Sequence, residues 1–265
     1  MRKLLAVAAL ALALLIAPQA RAQKAPAPVT TSLNQNVYDS VVLLYLQDSA
    51  GDMRMACTAT AFDSRPSTDQ SKSVYRFVSA AHCVEGNDDA QQKLQKFYIS
   101  SDANGEKSYL AAKLIEAGDK TQGDDFSLFE VTTATKFVVT PLGDETTLKS
   151  GDNVVNVAGA MGFGKQFFQG YVSEVHMDRP PLDAGVVQWT DVMLVEVGGG
   201  PGSSGSAIVS TDQKAIIGFL VGDAGVDVGK ICVPVSKFKK FVSLVDSGKY
   251  KKSKASDKAS ARDAE

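Results

Sequence analysis

Short runs rich in Val, Ile, Phe, Tyr and Thr recur along most of this chain, each bounded by Gly, Asp, Asn, Ser or Pro. In the first half they are Val41 to Leu46, Cys57 to Phe62, Tyr75 to Ser79, Tyr109 to Ile115 and Phe126 to Val131. In the second they are Asn153 to Ala158, Phe168 to Val175, Val186 to Val197, Ala207 to Val209, Ala215 to Val221 and Ile231 to Val235. β-branched and aromatic residues between turn formers read as strands, and many short strands at this spacing predict a sandwich or barrel. A helical period of comparable strength occurs once. After Ser236, a residue type that caps helices, Phe238, Phe241, Val242 and Val245 fall at i, i+3, i+4 and i+7. A weaker helical stretch is expected around Asp88 to Lys96.

The ends differ from this pattern. Arg2 and Lys3 precede the apolar run Leu4 to Ile16, and Ala20-Arg21-Ala22 is a small-x-small site. This reads as a Sec-type signal peptide over residues 1–22, cleaved after Ala22. The run is shorter than the roughly 20 apolar residues of a membrane span, so a periplasmic or secreted protein without stable membrane insertion is expected. Residues 23–36 (QKAPAPVTTSLNQN) lack periodicity and read as a flexible lead-in. Beyond Tyr250, the 248–265 tail alternates Lys, Ser, Ala and Asp and reads as disordered. The folded part is then 37–247, about 200 residues, enough for one all-β unit or two small lobes.

Composition narrows the function by exclusion. A net charge of −2 provides no basic field for nucleic acid. His82 and His176 lie far apart and no CxxC occurs, so no metal site is called for. No motif calls for a cofactor, although the acidic run Gly86-Asn87-Asp88-Asp89 leaves room for structural calcium. Cys57, Cys83 and Cys232 predict one disulfide and one odd thiol, with the pairing undecided by spacing.

Three strings carry chemistry. VSAAHCV (Val78 to Val84) places His82 at the end of a strand, beside small residues that let an imidazole pack against backbone. GDDFSLFEV (Gly123 to Val131) places Asp125 at the mouth of a buried strand, where an acid is costly unless paired. Asp124 is its competitor, and turn capping is the plain role for either. GGGPGSSGSAIV (Gly198 to Val209) places Ser204 in a glycine-rich turn able to aim backbone N–H groups at one point. A Gly/Ser surface loop without chemistry is the bland alternative. Histidine, aspartate and serine together are the components of an oriented nucleophile. His176, in a polar stretch without a partner motif, reads as a surface residue.

SAAHC, DDFSLFEV and PGSSGS resemble the three signatures of the chymotrypsin-fold (trypsin-like) serine peptidases, usually TAAHC, D-x-A-L-L and G-[DN]-S-G-G. The chain order His, Asp, Ser also agrees with that family. The resemblance implies two six-stranded antiparallel β-barrels, about 37–138 and 139–235, with a C-terminal helix at 236–246. It implies His82 as general base, Asp125 as its orienting acid, Ser204 as nucleophile, and the N–H groups of Gly202 and Ser204 as oxyanion hole. It also implies a Cys57–Cys83 disulfide stapling the histidine loop, with Cys232 left as a buried inert thiol.

Departures from the pattern shape the expected activity. Ser203 stands where animal members carry the aspartate that receives a newly cut N-terminus. Ser206 replaces the second glycine, as in bacterial glutamyl endopeptidases, but Ile216 to Gly222 lacks the histidine those enzymes use. Gly198 occupies the pocket-base position, so a small or medium apolar residue is expected before the scissile bond, with Leu220 and Val221 setting the depth. Asp223 or Asp227 at the rim would restore a basic preference. The tail is too short for an appended PDZ module, which argues against the HtrA group carrying such modules. The expectation is thus an exported endopeptidase acting as a monomer on protein or peptide substrates. A catalytically silent peptidase-like binding protein is the competing class, and an esterase a third without support in the residues.

Overall fold

Several barrel strands coincide with runs of residues that can be covered on both faces. In the computed structural model β1 (Val41–Gln47) is buried at six successive positions, because one face lines a barrel and the other is covered from outside. With β2 (Met53–Pro66), β3 (Ser73–Ser79), β4 (Lys96–Ser101), β5 (Ser108–Ala117) and β6 (Ser127–Thr133) it closes an antiparallel barrel in the order β1-β2-β3-β6-β5-β4. A second closed barrel follows. It is built from β7 (Asn153–Ala158), β8 (Gln166–Met177), β9 (Val192–Glu196), β10 (Ala207–Ser210), β11 (Ala215–Asp223) and β12 (Lys230–Pro234), in the order β10-β11-β12-β9-β8-β7. Closure removes free strand edges. The two barrels with a C-terminal helix are the chymotrypsin-like architecture. The structure describes residues 29–48, 50–84, 96–101, 108–178, 190–225 and 229–252. The leader, residues 23–28, the 86–89 acidic run, Asp227 and the 253–265 tail lie outside the described residues.

Helix α1 (Val29–Ser40) replaces the expected lead-in over 29–36. Its apolar residues are sparse, but Leu33 and Val37 are four apart and both are buried. The Ser40 hydroxyl donates to the Val37 carbonyl at 2.9 Å, and Gln35 donates to Asp39 at 2.8 Å. The Lys165 ammonium, over the Tyr38 ring, donates to the Tyr38 and Val41 carbonyls at 3.1 Å each and so closes the helix C-terminus. Strand β4 was not expected either. Its Phe97 and Ile99 alternate inward, too short a pattern to stand out, and Lys96 begins this strand and does not end a helix. The remainder of the expected Asp88 to Lys96 helix lies outside the described residues.

Helix α2 (Val235–Asp246) buries Phe238 and Phe241 under the first barrel's rim and against the second. Phe238 meets Phe62 at 4.9 Å and Phe219 at 4.8 Å between ring centroids, and Phe126 sits 5.2 Å from Phe238 and 5.8 Å from Phe241. One aromatic cluster thus joins β2, the start of β6, β11 and the helix. Ser236 is not the cap. Pro234 holds that position without a side-chain bond, and the carboxylate of Glu145, from another segment, accepts the Ser236 N–H at 3.2 and 3.3 Å. An acid at a helix N-terminus meets both the orphan donors and the favourable end of the dipole. Glu145 is only 2% exposed, so its removal strips a partner from groups that water does not reach. Glu145→Ala should lower unfolding free energy by about 1–3 kcal/mol and Glu145→Gln by less. Urea denaturation monitored by circular dichroism measures both.

Candidate active site

The segment after β3 turns sharply because Ala80 is extended and Ala81–Cys83 forms a single 3-10 turn. His82 rides on that turn. Its Nδ1 lies 2.7 Å from Asp125 Oδ2, and its backbone N–H donates to Asp125 Oδ1 at 2.9 Å. Asp125 is fully buried while the His82 side chain is 34% exposed. A carboxylate withdrawn from water needs such donors on both oxygens, and a donor at Nδ1 leaves Nε2 as the acceptor of the neutral ring. The disulfide Cys57–Cys83 ties the turn to β2. Cys57, His82 and Cys83 place their potential ligand atoms within 4.8 Å of one another. Both sulfurs are consumed by the disulfide, so this is not a thiolate set for a metal.

Asp124 faces elsewhere. Its carboxylate accepts from the Tyr250 hydroxyl at 3.3 Å, and burial raises its pKa against the opposing pull of that bond and of Lys237 and Lys240. The structure therefore brings Asp125, and not its neighbour, to His82.

The serine loop is seated against the histidine segment by backbone contacts. Gly205 has a φ of +82°, and a Cβ there would lie 2.5 Å from both Ser79 Oγ and the Thr58 carbonyl and 2.7 Å from Ala80 N. Only glycine permits that approach, two residues from the histidine turn. The Ser204 carbonyl accepts the Thr58 N–H at 3.0 Å, and Gly205 N–H donates to Leu220 O at 2.8 Å. Ser203 is buried, its hydroxyl accepting the Gly200 N–H at 3.0 Å. Ser204 is half-buried, so it is the adjacent serine that reaches solvent.

Two peptide orientations follow from specific bonds. Met161 N–H donates to the Pro201 carbonyl at 2.7 Å, and the Thr58 hydroxyl donates to the Gly202 carbonyl at 2.8 Å. A trans peptide points its N–H away from its C=O, so holding Pro201 O directs the Gly202 N–H to the opposite side. Among the described residues, neither the Gly202 nor the Ser204 N–H has an acceptor. Thr58 is fully buried and also takes the Gly159 N–H at 2.9 Å. Ser206 is held by Asn156 Nδ2 at 2.8 Å. Thr58, Met161 and Asn156 were missed in the sequence, which carries no local signal for these long-range bonds.

At the expected specificity positions Gly198 is half-buried and faces Phe168, whose Cδ1 would lie 2.2 Å from a Cβ. Leu220 and Val221 are buried, and Leu220 Cδ1 flanks Gly199. Asp223 is exposed and paired with Lys230. Cys232 is fully buried and its thiol is pushed well up by desolvation, so it is unreactive. His176 is exposed and pairs with Asp191 at 2.7 Å.

A family model described as trypsin-like peptidase domain matches residues 57–219. No curated protein matches the chain. Among solved structures, the HtrA-type protease AlgW with decapeptide is 14% identical, with TM-score 0.63, over 83% of this chain and 68% of that one. A variant of AlgW with a tripeptide is 15% identical, with TM-score 0.62, over 82% of this chain, which spans 64% of that structure's length. Deg5 is 16% identical, with TM-score 0.62, over 83% of this chain and 95% of its own. The close approach at Gly205 means that Gly205→Ala should destabilise the protein by at least about 2 kcal/mol, read as a lower melting temperature than that of Gly51→Ala, where a Cβ meets nothing within 4 Å.

Proposed function

The chain belongs to the trypsin-like peptidase family, whose members are serine endopeptidases, and on that footing we propose that it is an exported endopeptidase acting through Ser204, His82 and Asp125. The observation that carries this reading is the doubly bonded, fully buried Asp125 at His82 Nδ1. His82 Nε2 takes the proton as Ser204 Oγ attacks the scissile carbonyl carbon. The resulting oxyanion is received by the N–H groups of Gly202 and Ser204. Collapse breaks the C–N bond, and His82 returns the proton to the leaving amine. Water, deprotonated by His82, then hydrolyses the acyl-enzyme.

Phe168 beside Gly198 and Leu220 beside Gly199 support cleavage after a small or medium apolar residue. A peptide library whose cleavages fall mainly after Arg or Lys would overturn that preference. The leader read in residues 1–22 and the Cys57–Cys83 disulfide support export, since disulfides persist in oxidising compartments.

Treatment of the mature chain with a fluorophosphonate probe, followed by peptide mass spectrometry, tests the assignment. A single adduct on Ser204 that disappears in His82→Ala is expected. No adduct on folded, disulfide-bonded protein would give the site to a peptidase-like binding protein instead. Asp125→Asn should label at least about 1,000-fold more slowly, whereas Asp124→Asn should retain most of the rate. Because His82 must be neutral to accept the proton, labelling should rise with pH through the neutral range and be lost in acid.

A further inference from the structure

Beyond Asp246 the chain reverses at Gly248, φ +66°. The N–H groups of Lys249 and Tyr250 both donate to the Leu244 carbonyl, at 2.8 and 3.1 Å. This short fold-back lies in a segment whose composition reads as tail. It brings the Tyr250 ring against Phe241, 4.8 Å between centroids and edge-on. The phenol oxygen then reaches the loop that carries Asp125.

That loop is bonded to itself by backbone and side chain, Gln122 Nε2 donating to Asp119 Oδ2 at 2.9 Å. Gly118 N–H donates to Phe126 O at 2.6 Å, and the Asp119 carbonyl accepts from Gln122 and Asp124 at 2.9 and 3.1 Å. A Cβ on Gly118 would stand 2.1 Å from the Asp124 carbonyl oxygen, so its two ends are in direct contact. The Asp119 N–H, at the loop's entrance, donates to the Tyr250 hydroxyl at 2.7 Å. The same hydroxyl faces Asp124 Oδ2, at the exit, across 3.3 Å. One oxygen thus accepts from one end of the loop and donates to the other. Asp119 is 2% exposed, so no water replaces the hydroxyl at its N–H without rearrangement.

We propose that Tyr250 is a positioning residue for the catalytic acid: its hydroxyl clamps the 119–124 loop and so fixes the adjacent Asp125 against His82. The C-terminal fold-back is then part of the machinery. This rests on the reading of Asp125 as the orienting acid: Asp125 follows Asp124 directly and has no freedom to keep its place if the loop shifts. Displacements of about 1 Å in such constellations cost orders of magnitude in rate.

The test uses the full mature chain and its Tyr250→Phe variant, which keeps the ring on Phe241 and removes only the hydroxyl. The fluorophosphonate reports the maximal labelling rate separately from probe affinity. NMR of the Nδ1–H proton of His82, assigned with the aid of His176→Gln, reports the bond to Asp125 independently of turnover. Tyr250→Phe should label about tenfold more slowly at unchanged probe affinity, with the His82 proton signal moved or broadened and faster amide exchange across 119–126. Wild-type labelling and an unmoved His82 signal would overturn the proposal. Should Tyr250→Phe fail to fold, Asp124→Ala takes its place: the same slowing supports the clamp and a wild-type rate refutes it. A double variant slower than either single one by the product of their effects would also refute it, because two ends of one clamp do not act additively. If the parent chain does not label at all, the endopeptidase reading fails. A His82 signal that still depends on Tyr250 would then leave the clamp standing.

Discussion

A carboxylate with no exposure to water organises the middle of this protein. Asp125 would be prohibitively costly in its position without donors to both oxygens, and His82 supplies both, from backbone N–H and ring. The requirement propagates outwards. The histidine turn must be held still, which the Cys57–Cys83 disulfide and the Ser127–Ala80 bond at 2.9 Å accomplish. The acid's own loop must be held as well, and there Phe126 is anchored among Phe219, Phe238 and Phe241. Asp125 and its anchor are consecutive, so charge and aromatic packing reinforce one placement.

Thr58 performs the matching task for the second barrel. Its N–H, its hydroxyl as donor and its hydroxyl as acceptor engage Ser204, Gly202 and Gly159 in turn. A single buried side chain on β2 therefore sets the serine loop against the histidine segment and links both to the turn containing Met161. With Met161 holding Pro201 O, the carbonyls from Gly200 to Ser204 are all occupied, and among the described residues the Gly202 and Ser204 N–H groups have no acceptor.

The fold was largely legible because closed barrels are built from short β-branched and aromatic runs between turn formers, and eleven of the twelve strands among the described residues lie wholly or partly under such runs. What escaped has a common cause. Helix α1 is mostly polar and gains its order from Leu33, Val37 and the distant Lys165. Glu145 caps a helix 91 positions away in sequence, and Tyr250 reaches Asp119 across 131. Polar bonds between distant segments leave no periodicity. The strings around His82, Asp125 and Ser204 stood out because tight turns beside strands demand unusual compositions. The choice between Asp124 and Asp125 came from the register of the D-x-A-L-L signature, but the reason Asp124 faces away, a tyrosine in the tail, is visible only in three dimensions.

The residues of the candidate site are divided between the barrels, His82 and Asp125 on the first and the serine loop on the second. Neither half holds a complete constellation. A chain with only its first barrel formed carries His82 and Asp125 without the serine loop, and a loose second barrel carries Ser204 without the histidine. The constellation is complete only when the barrels close on one another, through contacts of long sequence separation. The architecture thereby delays any capacity to cut until the chain itself has become compact enough to resist being cut.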